Sequence, residues 1–217
     1  MYRYVIFDLD GTLLNTLDDL ANAGNYALEQ LGFPVHDVEE YKYYIGNGIP
    51  KLIQRILPPE SSQELCDKTR SLFSEYYSSH STDKTRPYNG ICDLLSRLVD
   101  DGIKIGVATN KDHEFSERLV HIFFGDKVSV VCGRKDDTPK KPDPFSVNRI
   151  MEILGAEKSK TLYVGDSNVD METARNAGLD SCGVLWGFRT EKELRESGAH
   201  FIVKTPDELY QTITKMT

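Results

Sequence analysis

From Gly90 onward, short apolar runs alternate with amphipathic stretches, and this alternation constrains the fold more than any other feature of the chain. The runs "KIGVATN" (104–110), "VSVVCG" (128–133), "TLYVGD" (161–166), "SCGVLW" (181–186) and "HFIV" (200–203) read as buried strands. Between them, "GICDLLSRLVDDG", "DHEFSERLVHIFF", "DPFSVNRIMEILG", "VDMETARNAG" and "EKELRES" read as helices, and Thr205 caps a last one. Asp143 is the expected N-cap of its helix, with Pro144 at the first helical position and Gly155 just past the end. Strands that alternate with helices pair in parallel and are covered by helices on both faces. An earlier strand, Val5 to Asp8, belongs to the same sheet, so the core is a doubly wound α/β layer.

Thr16 to about Ser79 carries helical text and no strand signal. Thr16 with Asp19 has the spacing of a capping box, and Gly32 is a plausible stop for that helix. The Ser-rich "SSHSTDKTRP" (78–87) reads as a linker. Residues 1–15 and 82–217 are therefore expected to form the core, and residues 16–81 a helical insert. The tyrosine-rich stretches "YKYY" and "EYYSS" read as helix-packing aromatics, and the five histidines, which form no cluster, as structural or surface residues.

A chain of 217 residues can bury one large core. Its net charge of −8 argues against sequence-independent binding to nucleic acid or an anionic membrane. The four cysteines lie far apart, with no CxxC pair, and read as free thiols in a reducing compartment. Asp8 and Asp10 interrupt any signal-peptide core, and no uncharged run is long enough for a membrane helix. The expected location is the cytoplasm.

In sheets of this kind ligands bind beyond the carboxyl ends of the strands. There the first strand ends in Asp8, with Asp10 two residues on. The second ends at Thr109 and Asn110, and a later one at Asp166, four residues before Asp170. Carboxylates gathered at a hydrophobic boundary repel one another and are costly to desolvate, and a bound cation offsets both effects. An oxygen-only donor set suits Mg²⁺. Lys141, in "KKPDP", adds positive charge and Thr109 a hydroxyl donor, which together suit a phosphoryl group. The neighbouring Lys140 reads as a surface residue.

The segments "DLDGTL" (8–13), "VATN" (107–110), "KKP" (140–142) and "VGDSNVDMETARNAG" (164–178), in this order, resemble the haloacid dehalogenase superfamily of aspartate-nucleophile phosphatases. "YIGNGIPKLIQRIL" and "GVLWGFRT" are similar to text of its phosphoglycolate phosphatase group. The resemblance implies a Rossmann-like core with an α-helical cap inserted after the first strand. It implies Asp8 as nucleophile, Asp10 as acid and base, and Mg²⁺ held by Asp8, Asp166 and the Asp10 carbonyl. It also implies Thr109, Asn110 and Lys141 on the phosphoryl group, with Asp170 behind them orienting Lys141 or a metal-bound water. Because halide leaves without a proton, a second acid at Asp10 favours an oxygen leaving group.

The expected reaction is Mg²⁺-dependent hydrolysis of a small phosphorylated metabolite, with 2-phosphoglycolate first among substrates, by a monomer or homodimer. Gly46, Asn47 and Gly48 of the insert are expected to contact substrate, with Lys51 and Arg55 as open candidates. The alternatives are a phosphosugar mutase of the β-phosphoglucomutase type, a pyrophosphatase and an inactive binding module. "GNGIPKL" lacks the arginine and serine expected of a mutase cap.

Overall fold

The computed structural model describes residues 1–215. The chain divides into two compact units: residues 1–14 with 87–217, and residues 15–86.

The first unit is built on six parallel strands: β1 (Tyr4–Phe7), β4 (Lys104–Asp112), β5 (Val130–Arg134), β6 (Thr161–Gly165), β7 (Asp180–Val184) and β8 (Phe201–Val203). Two-residue strands β2 (Leu14–Asn15) and β3 (Arg86–Pro87) pair where the chain passes between the units. The six strands lie in the order β5-β4-β1-β6-β7-β8. This is a doubly wound topology with its switch point at β1. Phe7 pairs in register with Val107 on one side and Val164 on the other, so β1 and β6 end side by side while β4 continues past them through Thr109 to Asp112.

Strand alternation explains why both faces are covered. Val5, Phe7, Ile105, Val107, Leu162 and Val164 point into one apolar cluster, where they meet α5 (Ile91–Asp100), α6 (His113–Phe124) and α10 (Pro206–Thr214). Ile6, Ala108 and Tyr163 point the other way, onto α7 (Phe145–Leu154) and α8 (Asn168–Ala177). The remaining helix of this unit is α9 (Glu191–Glu196). Thr205 caps α10 as expected, accepting from the Glu208 amide at 3.2 Å. Helix α7 begins one residue later than its sequence suggests. Asp143 still accepts from the helix, but from the Phe145 amide, and Pro144 takes the cap position.

The second unit holds α1 (Leu17–Gln30), α2 (Tyr41–Tyr44), α3 (Ile49–Ile56) and α4 (Gln63–His80). Helix α4 runs through Ser78–His80, which the Ser-rich composition had suggested as linker. Ser62 caps α4 from the Leu65 amide. Tyr41 and Tyr77 are buried, and Tyr26 stacks on Tyr76 at 4.6 Å, as expected of packing aromatics, whereas Tyr43 is exposed. The expected capping box at Thr16 does not form: its hydroxyl makes no cap hydrogen bond. The Asp19 carboxylate instead accepts from the Lys84 and Thr85 amides and the Thr85 hydroxyl, all within 3.1 Å. These sequence-distant donors satisfy a buried carboxylate better than one local amide can.

The cysteines are free. Among the described residues no helix is long and apolar enough to cross a membrane.

Candidate active site

The ends of β1 and β6 deliver Asp8 and Asp166, α8 delivers Asp170, and the loop between β5 and α7 delivers their counter-charge, Lys141. The Asp8 amide donates to Val164 O at 2.9 Å, which continues the sheet pairing up to the carboxylate. After Asp8 the chain turns tightly, with the Leu9 carbonyl accepting from the amides of Thr12, Leu13 and Leu14. Gly11 (φ +86°) is required there, because a Cβ would overlap the Asp166 carboxylate.

Lys141 is the central cation, with its side chain 2% exposed. Its Nζ lies 2.9 Å from Asp8 Oδ1 and donates to Asp170 Oδ1 at 2.8 Å. It also donates to Ala108 O and to the Tyr163 hydroxyl, both at 3.0 Å. Burial alone lowers the pKa of an ammonium. Here the Asp170 and Asp8 carboxylates overcome that and hold Lys141 charged well above its ordinary range. Asn110 braces the backbone on which Lys141 sits: its carboxamide accepts from the Lys141 amide at 2.8 Å and donates to the Lys141 carbonyl at 3.1 Å. Thr109 Oγ1 accepts from the Lys111 amide at 3.2 Å, and its O–H remains a donor.

Asp170 links two elements. One carboxylate oxygen takes Lys141, and the other accepts from the Ser167 amide and hydroxyl at 3.0 and 2.6 Å, closing a capping box on α8. Its helix-cap and lysine-orienting roles are thus one arrangement. Asp166 accepts from the Phe188 amide at 2.7 Å and from the Thr12 hydroxyl at 3.3 Å. This explains "GVLWGFRT" locally. Trp186 donates to Thr12 O, and a Cβ on Gly187 would overlap Asp166 and the Gly11 carbonyl.

Oxygens of Asp8, Asp166 and Asp170 all lie within 4.8 Å of one another, and all three residues are buried. Burial, and then the Asp170 charge, push the Asp8 carboxyl up to about 7 against the pull of Lys141. Burial and the neighbouring Asp170 and Asp8 charges likewise raise Asp166 well above the carboxylate range, opposed by the Phe188 amide and Arg189. One lysine does not neutralise three buried carboxylates. A converging, oxygen-only set with this excess of negative charge fits a hard divalent ion. Asp8, Asp166 and Asp170 are the side chains that converge on such a position, and of the three Asp170 has both oxygens held by protein donors, Oδ1 by Lys141 and Tyr163 and Oδ2 by Ser167.

A pH-linked prediction follows. Carboxyls raised in the folded state bind protons more tightly than in the unfolded chain, so their contribution to stability is present at low pH and lost as pH rises through the folded value. In chelator, the melting temperature is expected to fall between about pH 5 and pH 8 by roughly 5–10 °C, and Mg²⁺ is expected to restore it most at the alkaline end. Differential scanning fluorimetry checks this, and a flat or rising profile in chelator contradicts it.

Sequence reasoning passed over Lys111. Its ammonium lies 3.1 Å from Asp10 Oδ1, and its side chain is 2% exposed. The signal was present in the spacing, since Lys111 stands two residues after Thr109 on the strand that supplies the site. Gly46, Asn47 and Gly48 lie in the second unit, between α2 and α3. Arg55 braces their loop through Asn47 Oδ1 at 2.8 Å and Tyr44 O at 2.9 Å, and Lys51 donates to Gln54.

The chain matches the haloacid dehalogenase-like hydrolase family over residues 5–184. It is 32% identical to a phosphoglycolate phosphatase of Vibrio parahaemolyticus, covering 97% of this chain and 96% of that protein. It is 34% identical to one of Neisseria meningitidis, covering 96% and 92%. The crystal structure of a proposed phosphoglycolate phosphatase from Lactobacillus delbrueckii subsp. bulgaricus superposes with a TM-score of 0.93 at 34% identity, over 98% of both chains. The chain therefore belongs to the haloacid dehalogenase-like hydrolase family, and within it is a phosphomonoester hydrolase similar to the phosphoglycolate phosphatases.

Proposed function

We propose that the protein hydrolyses a small phosphomonoester, with 2-phosphoglycolate first among candidates, in a Mg²⁺-dependent reaction through an aspartyl-phosphate on Asp8. The observation that carries this reading is the pairing of a buried carboxylate at the switch-point strand with Lys141 at 2.9 Å, and with a second, separately held carboxylate two residues on. Asp8 and Asp166, with the Asp10 carbonyl, would hold the Mg²⁺, which supplies charge neutralisation for the transferring phosphoryl group.

In the first step an Asp8 oxygen attacks phosphorus. The bond from phosphorus to the ester oxygen breaks, and that oxygen takes the Asp10 proton. In the second step water attacks phosphorus and gives its proton to Asp10. The bond to Asp8 breaks, and phosphate leaves. Lys141 and the Thr109 hydroxyl are aimed where charge accumulates on the phosphoryl oxygens. Residues 15–86 serve as the cap in this reading, and Gly46, Asn47 and Gly48 select the organic group.

A phosphate-release screen over small esters, with Mg²⁺ or chelator, tests the proposal. Release from phosphoglycolate that chelator abolishes supports it. Conversion of β-glucose 1-phosphate faster than phosphate release would favour a mutase, and no release from any ester an inactive module.

Asp10→Asn is expected to slow single-turnover alcohol release from an alkyl phosphomonoester about 10²–10⁴-fold. With p-nitrophenyl phosphate, whose leaving group needs no proton, the loss is expected to be much smaller. Equal losses in the two assays would remove the acid role from Asp10.

A further inference from the structure

Lys111 has no part in the proposed reaction, yet its side chain is as deeply buried as that of Lys141, each 2% exposed. Its Nζ lies 3.1 and 3.4 Å from the two Asp10 carboxylate oxygens. Its amide donates to Thr109 Oγ1, and its carbonyl accepts from Ser116 Oγ at 3.3 Å, so the backbone is fixed on both sides. The strand is irregular at this point: Ala108 pairs with Cys132, but Asp112 pairs with Arg134, so β4 carries two more residues than β5 between these pairs. Thr109 and Lys111 both lie within this irregular stretch. Burying an ammonium is costly unless a carboxylate and hydrogen bonds compensate, so a lysine this enclosed marks a fixed geometry rather than a solvated surface charge.

We propose that Lys111 is a positioning residue for Asp10. It holds the Asp10 carboxylate in one orientation through both proton transfers, delivery to the ester oxygen and removal from water. It acts through Asp10 and touches neither the phosphoryl group nor the organic part of the substrate. The inference rests on the reading of Asp10 as the proton carrier.

A double-mutant cycle tests it, with 2-phosphoglycolate and Mg²⁺ as the assay. Lys111→Met is expected to lower kcat about 30–300-fold while KM stays within about threefold. In the Asp10→Asn background the same change is expected to cost less than about threefold, because the group it positions is already gone. Lys111→Arg, which keeps the charge, is expected to recover most of the lost kcat. If the Met variant does not fold, Lys111→Gln carries the same cycle. A full-sized additional loss in the Asp10→Asn background would overturn the inference, because Lys111 would then act independently of Asp10. A raised KM with kcat preserved would also overturn it, since Lys111 would then bind substrate. An active wild type with these outcomes leaves the phosphatase reading standing. A wild type that releases no phosphate from any ester refutes that reading and the inference together.

Discussion

Asp8→Asn is expected to reduce phosphate release at least about 10⁴-fold while the protein stays folded. An amide is far too weak a nucleophile toward phosphorus. The fold should survive because Lys141 keeps Asp170, Ala108 O and Tyr163 as partners. The variant also loses one of the mutually repelling buried acids. In chelator near pH 8 its melting temperature is therefore expected to equal or exceed that of the wild type. Activity above about one-hundredth of wild type would exclude a covalent intermediate on this residue. Denaturing mass spectrometry of the wild type after a rapid quench should find one added phosphoryl group, and none on the variant.

Lys141→Met is expected to damage both function and stability. Removing one partner from a buried ionic network typically costs about 3–5 kcal/mol, since the remaining charges are left uncompensated. Here Asp8 and Asp170 both lose their cation, while Asp166 stands within reach of each. In the proposed reaction this ammonium stabilises charge on the phosphoryl oxygens, so its loss is expected to lower kcat by about 10³-fold or more. Arginine is a poor replacement, because the site accommodates a single compact ammonium among four oxygens. Thermal melts and phosphate-release kinetics on the same preparation check both effects. A variant with wild-type kcat would show that Lys141 serves only the fold.

The alternation of strands and helices was legible from Gly90 onward because parallel strands buried on both faces must be near-continuous apolar runs. The acids were legible for the complementary reason that aspartate at the end of such a run is conspicuous. Features that depend on distant partners were not. Asp19 has the spacing of a cap, but the amides that satisfy it lie at residues 84 and 85. The Phe188 amide that steadies Asp166 is a backbone group, which carries no signature in a side-chain pattern. Lys111 was obscured because lysine beyond a strand usually faces water. Its carboxylate partner Asp10, on the loop after β1, offsets the cost of that burial.

The clasp that Asp19 forms with Lys84 and Thr85 means that residues 15–86 begin and end at neighbouring points of their own fold. A segment whose two ends are tied together in this way can be exchanged as a cassette. Grafting the corresponding stretch of a relative onto residues 14 and 87 asks little of the sheet, and under the proposed reading, in which this unit selects the organic group, it is expected to carry substrate preference with it.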